Sequence, residues 1–197
     1  MGGPPLTDQA FDTIFRKART ANGWLDKPVG DDVLQKIYDD MKFGPTSANS
    51  CPLRIVFLKS KESKERLKSF LMESNQSKVM TSPVTAILAW DVKFYDQLPK
   101  LFPHADARSW FVGNDQMIYD TAFRNSSLQA AYFMIAARAH GLDCGPMSGY
   151  DQAKADAEFF PGGEWKSNFI CALGYGDEAK LFPRNPRLGF DEACKIL

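Results

Sequence analysis

The sequence predicts one domain that mixes helices and strands without regular βαβ winding, and three observations carry that reading. Helix-period and strand-like segments interleave, but the strand runs are separated by segments too unequal for regular βαβ winding. The 197 residues fit a single domain, 1–197, with room at most for one excursion. The composition is 44% hydrophobic and 24% charged, which excludes disorder and fibrous repeats.

The elements follow in order. Thr7 stands as an N-cap before Ala10, Phe11, Ile14, Phe15 and Ala18, whose spacing predicts a first helix ending near Arg19. Asp31 opens a second, with Val33, Leu34, Ile37, Tyr38 and Met41 on one face and Gly44-Pro45 as its stop. Arg54 to Leu58 is β-branched and aromatic, hence a strand. Ser60 to Met72 is charged and helical, and Val84 to Trp90 is a continuous apolar run, the pattern of a buried strand. The polar, aromatic stretch 91–113, broken by Pro99 and Pro103, reads as an insertion or lid rather than core. A long helix runs from Tyr119 to His140 and closes at Gly141; from Leu128 onward it is apolar on nearly every side. Such a helix must be covered all round, which in a domain this small calls for a second subunit. A Gly-Pro-Met-Ser-Gly loop at 145–149, a short acidic helix, a strand from Phe169 to Tyr175 and a Pro/Arg-rich tail, 180–197, complete the chain.

Composition narrows the function classes. Lys and Arg number 24 against 24 acidic residues, so no net field draws the chain to nucleic acid or anionic membrane. The first residues carry neither a cationic and apolar leader nor a myristoylation signal, and no apolar run is long enough to span a bilayer. Four cysteines without a Cys-x-x-Cys pair and only two histidines argue against a metal site. The expectation is a cytoplasmic protein with reduced thiols. Aromatics reach 13%, more than a small core needs, which leaves a partner subunit or a flat ligand to absorb the excess.

Four motifs invite chemistry. Gly174-Tyr-Gly-Asp-Glu-Ala179 mimics a dinucleotide fingerprint, but Pro183 and Pro186 forbid the helix that the fingerprint requires, so a turn is the better reading. Gly44 to Pro52 sets small and hydroxylic residues between two prolines, either a polar turn or a surface that can lie against a flat heterocycle. Arg16-Lys17-Ala18-Arg19-Thr20 gathers three cations at a helix C-terminus, as dipole complement or phosphate clamp. Arg184-Asn185-Pro186-Arg187 holds two more on a proline-stiffened tail. His104 and His140 read as structural or solvent-exposed.

Arg19-Thr20, the Gly44–Pro52 loop, Asn75, Pro146-Met147-Ser148-Gly149 and Arg184/Arg187 occur in an order that resembles the FMN-dependent nitroreductase family. The runs Asn22–Asp26, Phe43–Asn49, Leu98–His104, Thr121–Ser127 and Gly145–Gly149 are similar to its malonic semialdehyde reductase branch, and the likeness covers residues 6–197. The resemblance implies an α+β fold, a central mixed, mainly antiparallel sheet flanked by helices, in an intertwined homodimer with FMN at the interface and NADPH or NADH as donor. It implies that Arg19, Thr20, Arg184 and Arg187 hold the flavin phosphate end. Pro45, Thr46, Ser47 and Asn49 would contact the ring edge and ribityl chain, Asn75 the ring, with Lys78 following at the family's spacing as a further cofactor-binding residue, and Pro146, Met147, Ser148 and Gly149 would pack along the ring. Asn22 stands where many members carry a cation near the ring, and Cys51 replaces a common Gln. Arg108 and Arg124 are candidates for a substrate carboxylate; the bland alternative is pairing with Asp106, Asp115 or Asp120. Reduction of malonic semialdehyde to 3-hydroxypropionate, broad nitro- or quinone-reduction, and flavin binding without turnover are the three functions this leaves.

Overall fold

The computed structural model describes residues 2–197. The chain runs α1 (Asp8–Phe11), α2 (Asp31–Met41), β1 (Leu53–Leu58), α3 (Lys61–Lys68), α4 (Glu73–Thr81), β2 (Val84–Asp91), α5 (Leu98–Leu101), α6 (Asp115–Ala139), β3 (Asp143–Met147), α7 (Gln152–Phe159), β4 (Trp165–Gly174) and α8 (Phe190–Ala193). The four strands form one antiparallel sheet in the order β1-β2-β4-β3. Among the described residues the parallel element is the isolated bridge from Thr20 to Cys144, which lays the 19–25 segment beside β3.

β2 and β4 are central because both their faces are covered, so their residues read as near-continuous apolar runs rather than alternating ones. One face packs on α2 and α6 through Ile37, Met41, Leu88, Phe133 and Leu173. The other packs on α3, α4 and α7 through Leu67, Val79, Ile87 and Ile170. Asn114 caps α6 by accepting from the Met117 N–H at 3.1 Å, and Gly141 ends the helix at φ +79°, a conformation glycine adopts without a Cβ clash.

Four expectations are corrected. The first helix does not continue to Arg19; it widens into a π-turn, Asp12–Arg16, closed by the Lys17 N–H on the Asp12 carbonyl at 2.9 Å. The 145–149 segment is not a loop throughout, since Gly145, Pro146 and Met147 pair with β4. α4 lies where no helix was expected, because its apolar periodicity is weak and only Val79 is buried. The 91–113 stretch forms a satellite core in which Phe94, Leu98, Ala107 and Phe111 are buried against Ala122 of α6. Its prolines break long helices, and three short helical turns suffice to fold its aromatics inward.

Candidate functional site

The two ends of the chain meet at a cavity of about 610 Å³ lined by Arg16, Arg19, Thr20, Asn22, Arg138, Arg184 and Arg187, with Phe15 and Phe182 among its apolar walls. Its geometry follows from local structure. The π-turn displaces the chain after Arg16, and the Ala21 N–H donates to the Cys144 carbonyl at 2.9 Å, which seats Arg19 and Thr20 at the start of β3. The Arg19 guanidinium donates to the Phe182 carbonyl and Arg184 Nη2 to the Ala18 carbonyl at 3.1 Å, so the tail is clasped to the N-terminal segment from both sides. Arg187 Nη1 donates to the Asn185 and Pro186 carbonyls, each at 3.0 Å. No carboxylate lines the cavity. Arg16 is balanced by the exposed Asp8 at 2.6 Å, but among the described residues Arg19, Arg138, Arg184 and Arg187 form no ion pair. Four guanidiniums without ion pairs lining one space are a donor set able to hold an anion such as a phosphate.

A second group lines β3. The Asn75 side chain donates to the Gly149 carbonyl at 3.0 Å, and Trp24 Nε1 donates to the Lys78 carbonyl at 2.9 Å. A Cβ at Gly145 would stand 2.8 Å from the Ala21 carbonyl and 3.2 Å from Lys78 Cδ; one at Gly149 would stand 2.7 Å from Asn75 Nδ2. Glycine is therefore what lets α4 and the 19–25 segment close on this strand. Burial pushes the Lys78 ammonium below its ordinary range, opposed by the Cys171 sulfur nearby. The hydrogen bond with Cys144, then burial, push the Cys171 thiol well up, so this thiol is not a reactive one. Asn22 Nδ2 reaches only the Thr20 carbonyl, at 3.4 Å, and offers a dipole where a cation would offer a charge.

The Pro45–Asn49 loop is built differently and does not line the cavity shared by the two termini. Asn125 of α6 accepts from the Ser47 N–H at 2.8 Å, the Tyr132 hydroxyl donates to the Pro45 carbonyl at 3.1 Å, and Asn49 Nδ2 donates to the Leu101 carbonyl at 2.9 Å. Ala48, Asn49 and Cys51 all take left-handed backbone conformations, at φ +49°, +50° and +41°. Asparagine tolerates this region, whereas each of the others costs about 1–2 kcal/mol there. The Thr46 hydroxyl accepts from the Cys51 N–H at 3.2 Å and the Cys51 thiol donates to Asn49 Oδ1 at 3.4 Å, a local network that holds the shape.

Thus Arg19, Thr20, Asn22, Arg184 and Arg187 come together in one cavity. Asn75, Lys78 and 146–149 assemble along β3, and Pro45, Thr46, Ser47 and Asn49 stand on the α6 side. Arg108 Nε pairs with Asp96 at 2.8 Å rather than with Asp106, Asp115 or Asp120. Arg124 is exposed on α6, with no ion pair among the described residues. Arg138 lines the phosphate-type cavity without any sequence motif to mark it; at a helix end it is indistinguishable from a dipole complement. Among the described residues no cluster of His, Cys, Asp and Glu could hold a metal ion, and no helix is long and apolar enough to cross a membrane.

Comparison with known proteins gives the family. Residues 14–175 match the profile of the Nitroreductase family. A Ralstonia nicotianae protein, provisionally named an NADH dehydrogenase/NAD(P)H nitroreductase, is 56% identical over 98% of this chain and 100% of its own. A Burkholderia lata protein given the same provisional name is 59% identical, over 97% of this chain and 98% of its own. An Exiguobacterium sibiricum structure, provisionally described as a nitroreductase in complex with FMN, shares the fold at a TM-score of 0.85. It is 22% identical and covers 98% of this chain and 99% of that one.

Proposed function

The chain belongs to the nitroreductase family, and from that premise we propose that it is an FMN-dependent NAD(P)H oxidoreductase acting as a homodimer. The observation that carries the reading is the cavity lined by four guanidiniums without ion pairs and by no carboxylate among the described residues, a donor set that fits the dianionic phosphate of FMN. The names of the relatives, and the FMN held by a protein of the same fold, support it.

When bound, FMN would supply the hydride transfer, from NAD(P)H to a second substrate. The chain's own residues do the holding and tuning. Arg19, Thr20, Arg184 and Arg187 take the phosphate. Asn75, its amide fixed on Gly149, keeps Oδ1 for the ring edge, and Pro146 to Gly149 form the wall. Lys78 brings a half-desolvated positive charge to that wall, which favours negative charge developing beside it and offsets the neutral Asn22.

Two observations support the dimer. Asn125, which holds Ser47, lies about 20 Å along α6 from Arg138, so each chain's Pro45–Asn49 loop stands far from its own phosphate cavity along the helix axis. A second copy's loop would complete the ring edge. Phe123 and Leu128 on α6, with Phe182, Leu188 and Phe190 on the tail, leave apolar surface for that copy to cover.

For the second substrate we propose malonic semialdehyde, reduced to 3-hydroxypropionate, with Arg124 receiving its carboxylate and the half-exposed Arg108 in support. The relatives' names favour a second reading, broad nitro- or quinone-reduction on the same site. The purified protein should be yellow, and NADPH or NADH should bleach it anaerobically. A colourless protein that takes up no FMN overturns the proposal, and a yellow one that neither donor bleaches is a binder without turnover. A kcat/KM for malonic semialdehyde above that for a nitroaromatic, lowered at least tenfold in Arg124→Ala, supports the aldehyde; the reverse order establishes the second reading.

A further inference from the structure

We infer that Arg138 is itself a phosphate-binding residue, the wall of the cavity that neither end of the chain provides; this rests on the flavin reading above. Arg138 sits in the last turn of α6, where an ordinary role would be to face the helix dipole. Its surroundings say more. Nη1 donates to the Ile14 carbonyl at 3.0 Å, a group in the π-turn. Nε is shut off from solvent and has no hydrogen-bond partner. No carboxylate pairs with the guanidinium among the described residues. A guanidinium at a cavity wall with no carboxylate to neutralise it leaves its charge to an anion from outside the chain.

With Nη1 engaged on Ile14 and Nε shut off from solvent, Nη2 is the donor left for the cavity. It can give a charge-assisted hydrogen bond to one oxygen of a phosphate or carboxylate. The cavity that Arg138 lines already gathers Arg19 from the N-terminal segment and Arg184 and Arg187 from the tail. Those two strands of chain are surface segments clasped to each other through backbone carbonyls. Arg138, by contrast, is planted on the most deeply packed helix, whose neighbouring residues Ala136 and Ala137 are buried. It supplies the rigid side of the seat, and its hold on Ile14 ties the π-turn to that side.

Equilibrium titration of the flavin-free full-length protein with FMN and with riboflavin, followed by flavin fluorescence, tests this. The two ligands differ only in the phosphate. Arg138→Met should weaken FMN by about 10–100-fold and leave riboflavin unchanged, as expected for losing charge-assisted hydrogen bonds to the phosphate. Arg138→Lys, which keeps a charge but not the guanidinium's geometry, should recover part of the FMN affinity and likewise leave riboflavin unchanged. Equal losses for both ligands would make Arg138 a structural residue, and unchanged FMN binding would remove it from the site; either result overturns the inference while leaving the flavin reading in place. A wild-type protein that binds neither ligand, or binds both alike, overturns the flavin-phosphate reading and this inference with it. If Arg138→Met does not fold, the same pair of titrations on Arg138→Lys decides.

Discussion

Replacing Asn125 by Leu isolates what shapes the Pro45–Asn49 loop. Asn125 is 2% exposed, accepts from the Ser47 N–H at 2.8 Å and donates to the Thr121 carbonyl at 2.8 Å. Each such bond contributes about 0.5–1.5 kcal/mol net. Ser47 is exposed, so its freed N–H can turn to water and adds little further penalty. The Thr121 carbonyl keeps its place in the helix ladder. The sum is about 2 kcal/mol, and it is local: the left-handed residues Ala48 and Cys51 relax once the anchor goes, so the loop opens while the core stays folded. Amide exchange at Ser47 and Asn49 should accelerate about 30-fold, since 1.4 kcal/mol is a factor of ten. Global unfolding should fall by only about 4–8 °C. If the amides of 46–50 exchange within threefold of wild type, the loop is held by its own Thr46–Cys51–Asn49 contacts and the assigned role of α6 is wrong.

Other substitutions probe separate parts of the site. Ala48→Gly removes a left-handed strain of about 1–2 kcal/mol at an entropic cost of about 0.5–1 kcal/mol, so chemical denaturation should show a net gain of about 0.5–1 kcal/mol. Gly145→Ala places a methyl 2.8 Å from the Ala21 carbonyl; stability should drop by about 1–3 kcal/mol and FMN affinity with it, and an unchanged melting temperature would contradict the close approach of β3 and the 19–25 segment. Lys64 is buried and donates its ammonium to the Ser82 carbonyl, and burial holds its pKa below the ordinary 10.5. The unfolded chain therefore binds more protons than the folded one between the lowered pKa and 10.5, so stability contributed at this site rises with pH across that window. Urea titrations of wild type and Lys64→Met from pH 7 to 10.5 should show the difference moving in favour of wild type; a constant difference would refute the buried charge.

What the sequence by itself determined is local in origin. Strand β2 and helix α6 were legible because one apolar side chain every residue, or every third and fourth, reports a periodicity that the backbone must obey. The cations at 16–19 and 184–187 were legible as clusters, and their order along the chain carried the family resemblance. Tertiary structure decided which of them meet. The Thr20–Cys144 bridge and the tail clasp join segments more than a hundred residues apart, and no spacing rule records that. It also decided that Arg108 belongs to Asp96, that Arg138 lines the cavity, and that α4 forms around Asn75 and Lys78 despite a weak apolar pattern. The division has one cause. Periodicity is written in neighbouring residues, whereas a charge's partner depends on which surfaces packing brings within a few ångströms, and only the folded chain settles that.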